Sequence, residues 1–248
     1  MTTPRKRPDL EGRARAKSAE TGLPFVPRDD LSFSSLAEKY GAPVAFVVSD
    51  EGDFLLTAGG KLFFHENTAG LRLKGKKPDA LVRIMDVRPD DRIVDCTLGI
   101  GCDALVVAAA LGDGGALVGV EVSAALEALV RDGLRAHVFS TPRLAAAATR
   151  ITTVRADHRD FLRRCGAKSF DVVYFDPMFS ETVAASPAIR RLRTFAENAP
   201  LSGEAVELAR RAARRAVVVK GRRGCFDRLR FDEIVTSGGS VFYGAIRV

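Results

Sequence analysis

Four acids in this chain stand where apolar runs end. Ile93-Val94 leads into Asp95, Ala116 to Val120 into Glu121, ITTVRAD (151–157) into Asp157, and FDVVYFD (170–176) into Asp176. Between the first two lies a turn carrying Gly99 and Gly101, then an apolar helix expected over Ala104 to Leu111 and stopped at Gly112. Strand, glycine turn, helix, strand, acid is how a nucleotide-type cofactor is held. Glycines let the backbone approach the ligand, the helix N-terminus offers free N–H groups, and the second acid accepts hydrogen bonds from ribose hydroxyls. Asp176 opens Asp176-Pro177-Met178-Phe179, where a different chemistry is possible. A carboxylate and the Pro177 carbonyl can accept both N–H bonds of an amine while Phe179 stacks on a planar base.

Gly99-Ile100-Gly101-Cys102-Asp103-Ala104 satisfies the relaxed dinucleotide fingerprint, which leaves a nicotinamide dehydrogenase open. Three features favour S-adenosylmethionine. Asp95 stands four residues before Gly99, giving DxxxGxG, the usual first motif of class I methyltransferases that use that cofactor. Asp157 ends the third strand, where it can accept from an adenine amino group. Asp176-Pro177-Met178-Phe179 resembles the (D/N)PP(Y/F) motif of amino-methyltransferases, with Met178 in place of the second proline. The lone pair of a base amine is delocalised into the ring and is a poor nucleophile. Acceptors on both N–H bonds let the nitrogen become tetrahedral and favour the positive charge that develops on it. A base inside a helix must first be flipped out.

The elements that position these residues follow from periodicity and punctuation. From Arg88 onward strands and helices alternate, which predicts a parallel sheet with helices on both faces. Ser123 caps a helix reaching about Phe139, and Asp160–Arg164 forms a short one. Ser202 caps a helix with Ala205, Ala209, Ala212 and Ala213 on one face, and AVVVK (216–220) is the fifth strand. FDEIVTSGGSVFYGAIRV reads as two strands joined at Gly238-Gly239, an antiparallel hairpin closing the sheet. Ahead of this domain (86–248), residues 21–85 form a small unit: a helix near Leu31–Tyr40, strands in VAFVVSD, EGDFLLTAG and KLFFHEN, and a helix from Ala80 to Met85. Residues 1–20, polar and charged, are expected to be a flexible basic arm.

Composition sets the outer limits. The 248 residues carry a net charge of +7 with 46% hydrophobic residues, enough for a sizeable core. The longest apolar run is too short to span a bilayer, and no apolar segment follows the basic N-terminus, so neither a membrane nor a secretory signal is expected. Cys96, Cys102, Cys165 and Cys225 have no CxxC or metal-ligand spacing, so no metal is expected and the thiols are read as reduced, in a cytoplasmic protein. Between Pro187 and Arg230 there are 12 Lys and Arg against 4 Asp and Glu, a polyanion-compatible stretch. Arg190, Arg191 and Arg193, with Lys220, Arg222 and Arg223 after the fifth strand, are the candidate RNA contacts. The plainer reading of each group is a solvated face. Arg210, Arg211, Arg214 and Arg215 are read as a helix end, where cations are favoured by the dipole anyway. His65 could approach substrate or simply satisfy a local hydrogen bond.

Together DCTLGIGCDALVVAAALG, GVE, VRADHRDFL and VVYFDPMF resemble the RsmJ type of small-subunit ribosomal RNA guanine-N2 methyltransferase, over roughly residues 60–248. The resemblance implies a Rossmann-like class I fold with a mostly parallel seven-stranded sheet, a C-terminal antiparallel hairpin and a small N-terminal β-rich unit. It implies S-adenosylmethionine as cofactor and ribosomal RNA or the small subunit as partner. Cofactor contacts carry over to Cys102, Asp103, Glu121, Val122, Asp157, His158 and Asp176, beside Asp95, Gly99 and Gly101 from the turn. The catalytic residues are Asp176, Pro177 and Phe179. The family often has Arg at the Cys102 position, a basic residue at Val122, and serines at Asp157-His158. Two alternatives stay open: a methyltransferase acting on another nucleic acid or a small amine, and a non-catalytic RNA-binding assembly protein that retains the fold.

Overall fold

Capping residues fix where many of the helices start. Ser32, Asp79, Ser123, Thr141, Asp157 and Ser202 each accept a backbone N–H from the helix they precede. The structure, a computed structural model, describes residues 1–4, 7–57, 59–75, 77–177, 201–222, 229–237 and 241–248. A short 3-10 turn (Pro8–Leu10) leads into α1 (Glu11–Thr21), α2 (Phe33–Tyr40) and three antiparallel strands: β1 (Val44–Val47), β2 (Phe54–Thr57) and β3 (Gly60–Phe63). Then come α3 (Asn67–Leu73), α4 (Ala80–Met85), β4 (Arg92–Asp95), α5 (Cys102–Ala108), β5 (Ala116–Glu121), α6 (Ala124–Ala136), α7 (Pro142–Thr149), β6 (Ile151–Arg155), α8 (His158–Arg164) and β7 (Phe170–Phe175). The last described elements are α9 (Gly203–Ala212), β8 (Ala213–Gly221), β9 (Glu233–Thr236) and β10 (Phe242–Arg247).

The main sheet has the order β6-β5-β4-β7-β8-β10-β9. Its first five strands run parallel, while β10 is antiparallel to both β8 and β9. The order reverses between β4 and β7, which opens the crevice where ligands bind in doubly wound sheets. Both faces are covered. Ile93, Leu117, Val172, Tyr174 and Val218 pack on one side, and Val94, Val120, Val173, Phe175 and Val217 on the other. That explains why these strands read as continuous apolar runs rather than alternating ones.

The small sheet shares the first of these cores. Phe46, Leu55, Leu62 and Phe64 join Ala104 to Ala108 and Leu129 in one cluster. Just after β3, Phe64 lies against α6 at Gly133, where a Cβ would collide with the Phe64 ring.

The described residues of 1–20, expected as a flexible arm, instead pack on the rest of the chain. The Met1 ammonium donates to the Pro24 carbonyl at 2.6 Å, and Thr2 forms a parallel bridge with Val47. Leu10 and Ala14 are buried. Lys17 pairs with Asp53 and Asp132, and Arg13 with Asp53, so these cations neutralise the protein itself rather than a polyanion. Their partners lie 36 to 115 positions away, beyond any local pattern. Arg5 and Lys6 lie outside the described residues. Helices α3 and α7 were not anticipated, and α5 ends at Ala108 rather than Leu111. The turn at Gly238-Gly239 lies outside the described residues.

Candidate active site

The C-terminal ends of β4, β5 and β7 converge, and backbone hydrogen bonds lock them together. Cys96 N–H donates to the Tyr174 carbonyl at 2.9 Å, and Leu98 N–H to the Val120 carbonyl at 3.0 Å. Thr97 ties the two central acids: its N–H donates to Asp95 Oδ1 at 3.0 Å, and its hydroxyl oxygen accepts from Asp176 N–H at 2.6 Å. Gly99 and Gly101 take positive φ of 54° and 80°, so the turn between β4 and α5 uses backbone that side chains rarely adopt. Glu121 holds this turn from β5, accepting from Gly99 N–H at 3.1 Å and Ser123 N–H at 2.9 Å.

Asp95 and Glu121 are buried, and neither is in an ion pair among the described residues. Burial pushes the Asp95 carboxyl up to about 8 and the Glu121 carboxyl up to about 7. The edge therefore holds acids whose ionisation calls for a positive ligand. Val122, next to Glu121, is 47% exposed and offers an apolar face at the same rim.

Asp157 caps α8 and is also engaged in both oxygens by Arg159, at 3.0 and 2.6 Å, which holds its carboxyl well below the ordinary range. His158 meets the Phe175 ring edge-on at 5.6 Å. Cys102 opens α5, and burial pushes its thiol up to about 11, so it is no nucleophile at neutral pH.

Asp103 and Lys220 lie elsewhere than their sequence contexts suggested. Asp103 Oδ2 accepts from the Tyr174 hydroxyl at 2.7 Å and from Lys220 Nζ at 2.9 Å, while Arg72 pairs with Oδ1. A cofactor could meet Asp103 only through backbone. Lys220, expected on RNA, points inward to Asp103 and to Asp176 Oδ2 at 2.7 Å. Arg72, Tyr174 and Tyr243 complete the cluster; the Tyr243 hydroxyl is 3.4 Å from Arg72. Tyr174 carried a signal, being the one polar-tipped residue in an apolar strand that needs a partner when buried. Arg72 carried none, since its partner Asp103 is 31 positions on.

Other expected contacts separate. Arg211 donates to the carbonyls of Leu162, Arg163 and Cys165 at the end of α8. Arg214 and Arg215 are in β8, not in a helix, and pair with Asp171, Asp86 and Asp91 at the opposite edge of the sheet. Arg222 follows β8, half-buried. The His65 Nδ1 atom is buried without a hydrogen-bond partner among the described residues. Met178, Phe179, Arg190, Arg191, Arg193, Arg223 and Cys225 lie outside the described residues.

Residues 61–225 match the family model described as "Putative SAM-dependent methyltransferase". Ribosomal RNA small subunit methyltransferase J of Alkalilimnicola ehrlichii is 31% identical over 209 residues, 77% of each chain. The chain belongs to the RsmJ-type family of S-adenosylmethionine-dependent methyltransferases. The Nitrosococcus oceani protein of the same name is 39% identical over 145 residues, 56% of this chain and 54% of that protein. The uncharacterized protein YpiP of Bacillus subtilis is 32% identical over 94% of this chain and 93% of its own. The fold agrees with a SAM-dependent methyltransferase from Neisseria gonorrhoeae, with a TM-score of 0.68 at 18% identity, covering 100% of this chain and 96% of that one.

The residues present fit the family's cofactor. S-adenosylmethionine carries ribose hydroxyls, a sulfonium and an ammonium, and Asp95 and Glu121 are buried acids in no ion pair among the described residues, able to accept from such groups. The glycine turn leaves its backbone accessible, since the nearest atom to a Cβ at Gly99 would be 3.8 Å away.

Proposed function

We propose that this chain methylates the exocyclic N2 amine of a guanine in small-subunit ribosomal RNA, in the cytoplasm. The observation that carries this reading is Asp176. It directly follows β7 beside the glycine turn, its side chain is 36% exposed, and one oxygen is tethered to Lys220 while the other accepts no hydrogen bond among the described residues. Such a group is placed to accept from an incoming amine. The printed names of the Alkalilimnicola and Nitrosococcus relatives support ribosomal RNA as the substrate class.

Bound S-adenosylmethionine supplies an electrophilic methyl group on a sulfonium centre, a good leaving group. Glu121 would accept from its ribose hydroxyls, Val122 would pack on the adenine, and Asp157 and His158 would border the adenine edge. Gly99, Gly101, Cys102 and the Asp103 backbone line the turn, with Asp95 supplying negative charge behind it. Asp176 Oδ1 and the Pro177 carbonyl accept the two N–H bonds of the guanine amine, and Phe179 stacks on the base. This holds the nitrogen as it turns tetrahedral and stabilises its developing charge without prior deprotonation. Arg190, Arg191, Arg193, Arg222 and Arg223 contact phosphates flanking the flipped base.

The test is to map modified guanines in ribosomal RNA from cells with and without the protein. One guanine that loses its N2-methyl group in the deletion and regains it in vitro supports the reading. An unchanged map, with no transfer to protein-free RNA or to subunits, overturns it. An Arg190/Arg191/Arg193→Ala triple variant should bind RNA more weakly, with a shallower salt slope.

A further inference from the structure

The reading of Asp176 as the amine acceptor leaves one half-buried cation, Lys220, unexplained. Lys220 projects from β8, the strand beside β7, and its Nζ sits 2.7 Å from Asp176 Oδ2 and 2.9 Å from Asp103 Oδ2. Asp103 is fixed in turn by the Tyr174 hydroxyl at 2.7 Å and by Arg72, which a second carboxylate, Asp79, holds at 2.7 Å. The chain Asp79–Arg72–Asp103–Lys220–Asp176 thus reaches from the start of α4 to the end of β7. It contains three carboxylates and two cations, with each interior member held by both neighbours.

We propose that Lys220 is a positioning residue for the methyl transfer: it grips Asp176 Oδ2, fixing the carboxylate so that Oδ1 faces the amine.

Two features favour this over a purely structural role. A lone salt bridge from Lys220 to Asp103 would serve the fold alone, yet the ammonium spans both carboxylates. Asp176 also needs a cation to stay charged. Among the described residues, the groups facing it are Asp95 at the end of β4, Asp103 on α5, Arg72 on α3, Tyr174 on β7 and Lys220. Burial and Asp103 push the Asp176 carboxyl upward, while Lys220 is the principal opposing charge, with Arg72 behind it. A protonated Asp176 would present a neutral group to a nitrogen that is becoming positive.

Lys220 itself stays protonated. Burial works against its charge, but Asp103 and Asp176 raise it well above the ordinary lysine value. It therefore donates no proton in the reaction and acts only through Asp176.

The inference rests on the proposed function, and the experiment separates the two. The pH dependence of kcat/KM for methyl transfer to ribosomal RNA is measured for the wild type, Lys220→Met, Lys220→Gln and Lys220→Arg. S-adenosylhomocysteine affinity is measured by calorimetry, and folding by thermal melting. If the wild type transfers nothing to RNA, the proposed function fails and Lys220 has no reaction to position. With an active wild type, both neutral variants should bind S-adenosylhomocysteine within about threefold of wild type. Their acid limb should move up by about one to two pH units, because a cation within a few ångströms has been removed from a carboxylate. At neutral pH kcat should fall by roughly 100-fold, more than KM changes. Lys220→Arg should return the acid limb to near the wild-type position. An unshifted limb in the neutral variants overturns the proposal. So does loss of the fold in both neutral variants, which would make the residue structural.

Discussion

Glu121 and Gly99 are joined directly: the Glu121 carboxylate accepts from the Gly99 backbone N–H at 3.1 Å. The acid that ends β5 therefore shapes the glycine turn after β4 as well as facing the rim. With Ser123 N–H on its other oxygen, each oxygen keeps a lone pair for a further donor. Glu121→Gln replaces one acceptor oxygen with a donor facing a backbone N–H. We expect S-adenosylhomocysteine affinity to fall by roughly 10- to 100-fold, the scale of a lost hydrogen bond to a charged group. Calorimetry reads this directly, and unchanged affinity would remove Glu121 from the cofactor site.

The same rim predicts a pH dependence of its own. Asp95 and Glu121 have folded values of about 8 and 7, set by burial and above the ordinary carboxylate range. Between those ordinary values and the raised ones, the folded protein binds more protons than the unfolded chain. Their contribution is thus fully present at acid pH and is lost as pH rises toward 7 and 8. The free protein should melt at lower temperature at pH 8 than at pH 5.5. A cationic ligand favours the ionised forms, so the stabilisation given by S-adenosylmethionine should grow over the same interval. S-adenosylhomocysteine, which lacks the sulfonium charge, should show a smaller increase. Melting curves across pH, with each ligand and without, check all three statements. An increment that is flat with pH for both ligands would show that these acids do not sense the cofactor.

Strand-end acids were legible because each stands at the end of a run that is apolar for a physical reason: both faces of the sheet are covered. Asp95, Glu121 and Asp176 thus fell at the crevice from spacing alone. What spacing could not provide was the direction in which a side chain is used. Lys220 ends AVVVK in a basic stretch and looked outward, yet its two carboxylate partners are 44 and 117 positions away. Asp103 likewise looked like a cofactor contact, and its oxygens are taken by Arg72, Tyr174 and Lys220. The N-terminal segment failed for the same reason. Its low apolar content suggested an arm, but Ala14 and Leu10 need only a small buried face, and distant Asp53 and Asp132 hold the lysine and arginine. Long-range charge pairing leaves no local periodicity to read.

Asp176 itself gives the sharpest division between binding and chemistry. Asp176→Ala removes the amine acceptor while leaving Asp95, Glu121 and the glycine turn untouched. Transfer to RNA should drop by about 100- to 1,000-fold, the scale for losing one group that stabilises developing charge. S-adenosylhomocysteine affinity should stay within a few-fold of wild type. Filter-binding transfer assays and calorimetry on the same preparation measure both. A variant that keeps most of its turnover would take the amine-holding role away from Asp176.

The contact between the small sheet and α6 is testable through Phe64 and Gly133. A Cβ on Gly133 would overlap the Phe64 ring, which belongs to the core shared by the small sheet and α5. Gly133→Ala should therefore destabilise the protein by about 1–3 kcal/mol through overpacking, despite the better helix propensity of alanine. Phe64→Ala should cost about 3–5 kcal/mol by emptying the same site. In the double variant the new methyl group enters space the ring has left, so its cost should be well below the sum of the singles. Urea unfolding of the four proteins closes the cycle. Simple additivity would mean that Phe64 does not rest on Gly133, and that the N-terminal unit is held to α6 instead through α1, by the ion pairs of Lys17 with Asp132 and Glu20 with Arg131.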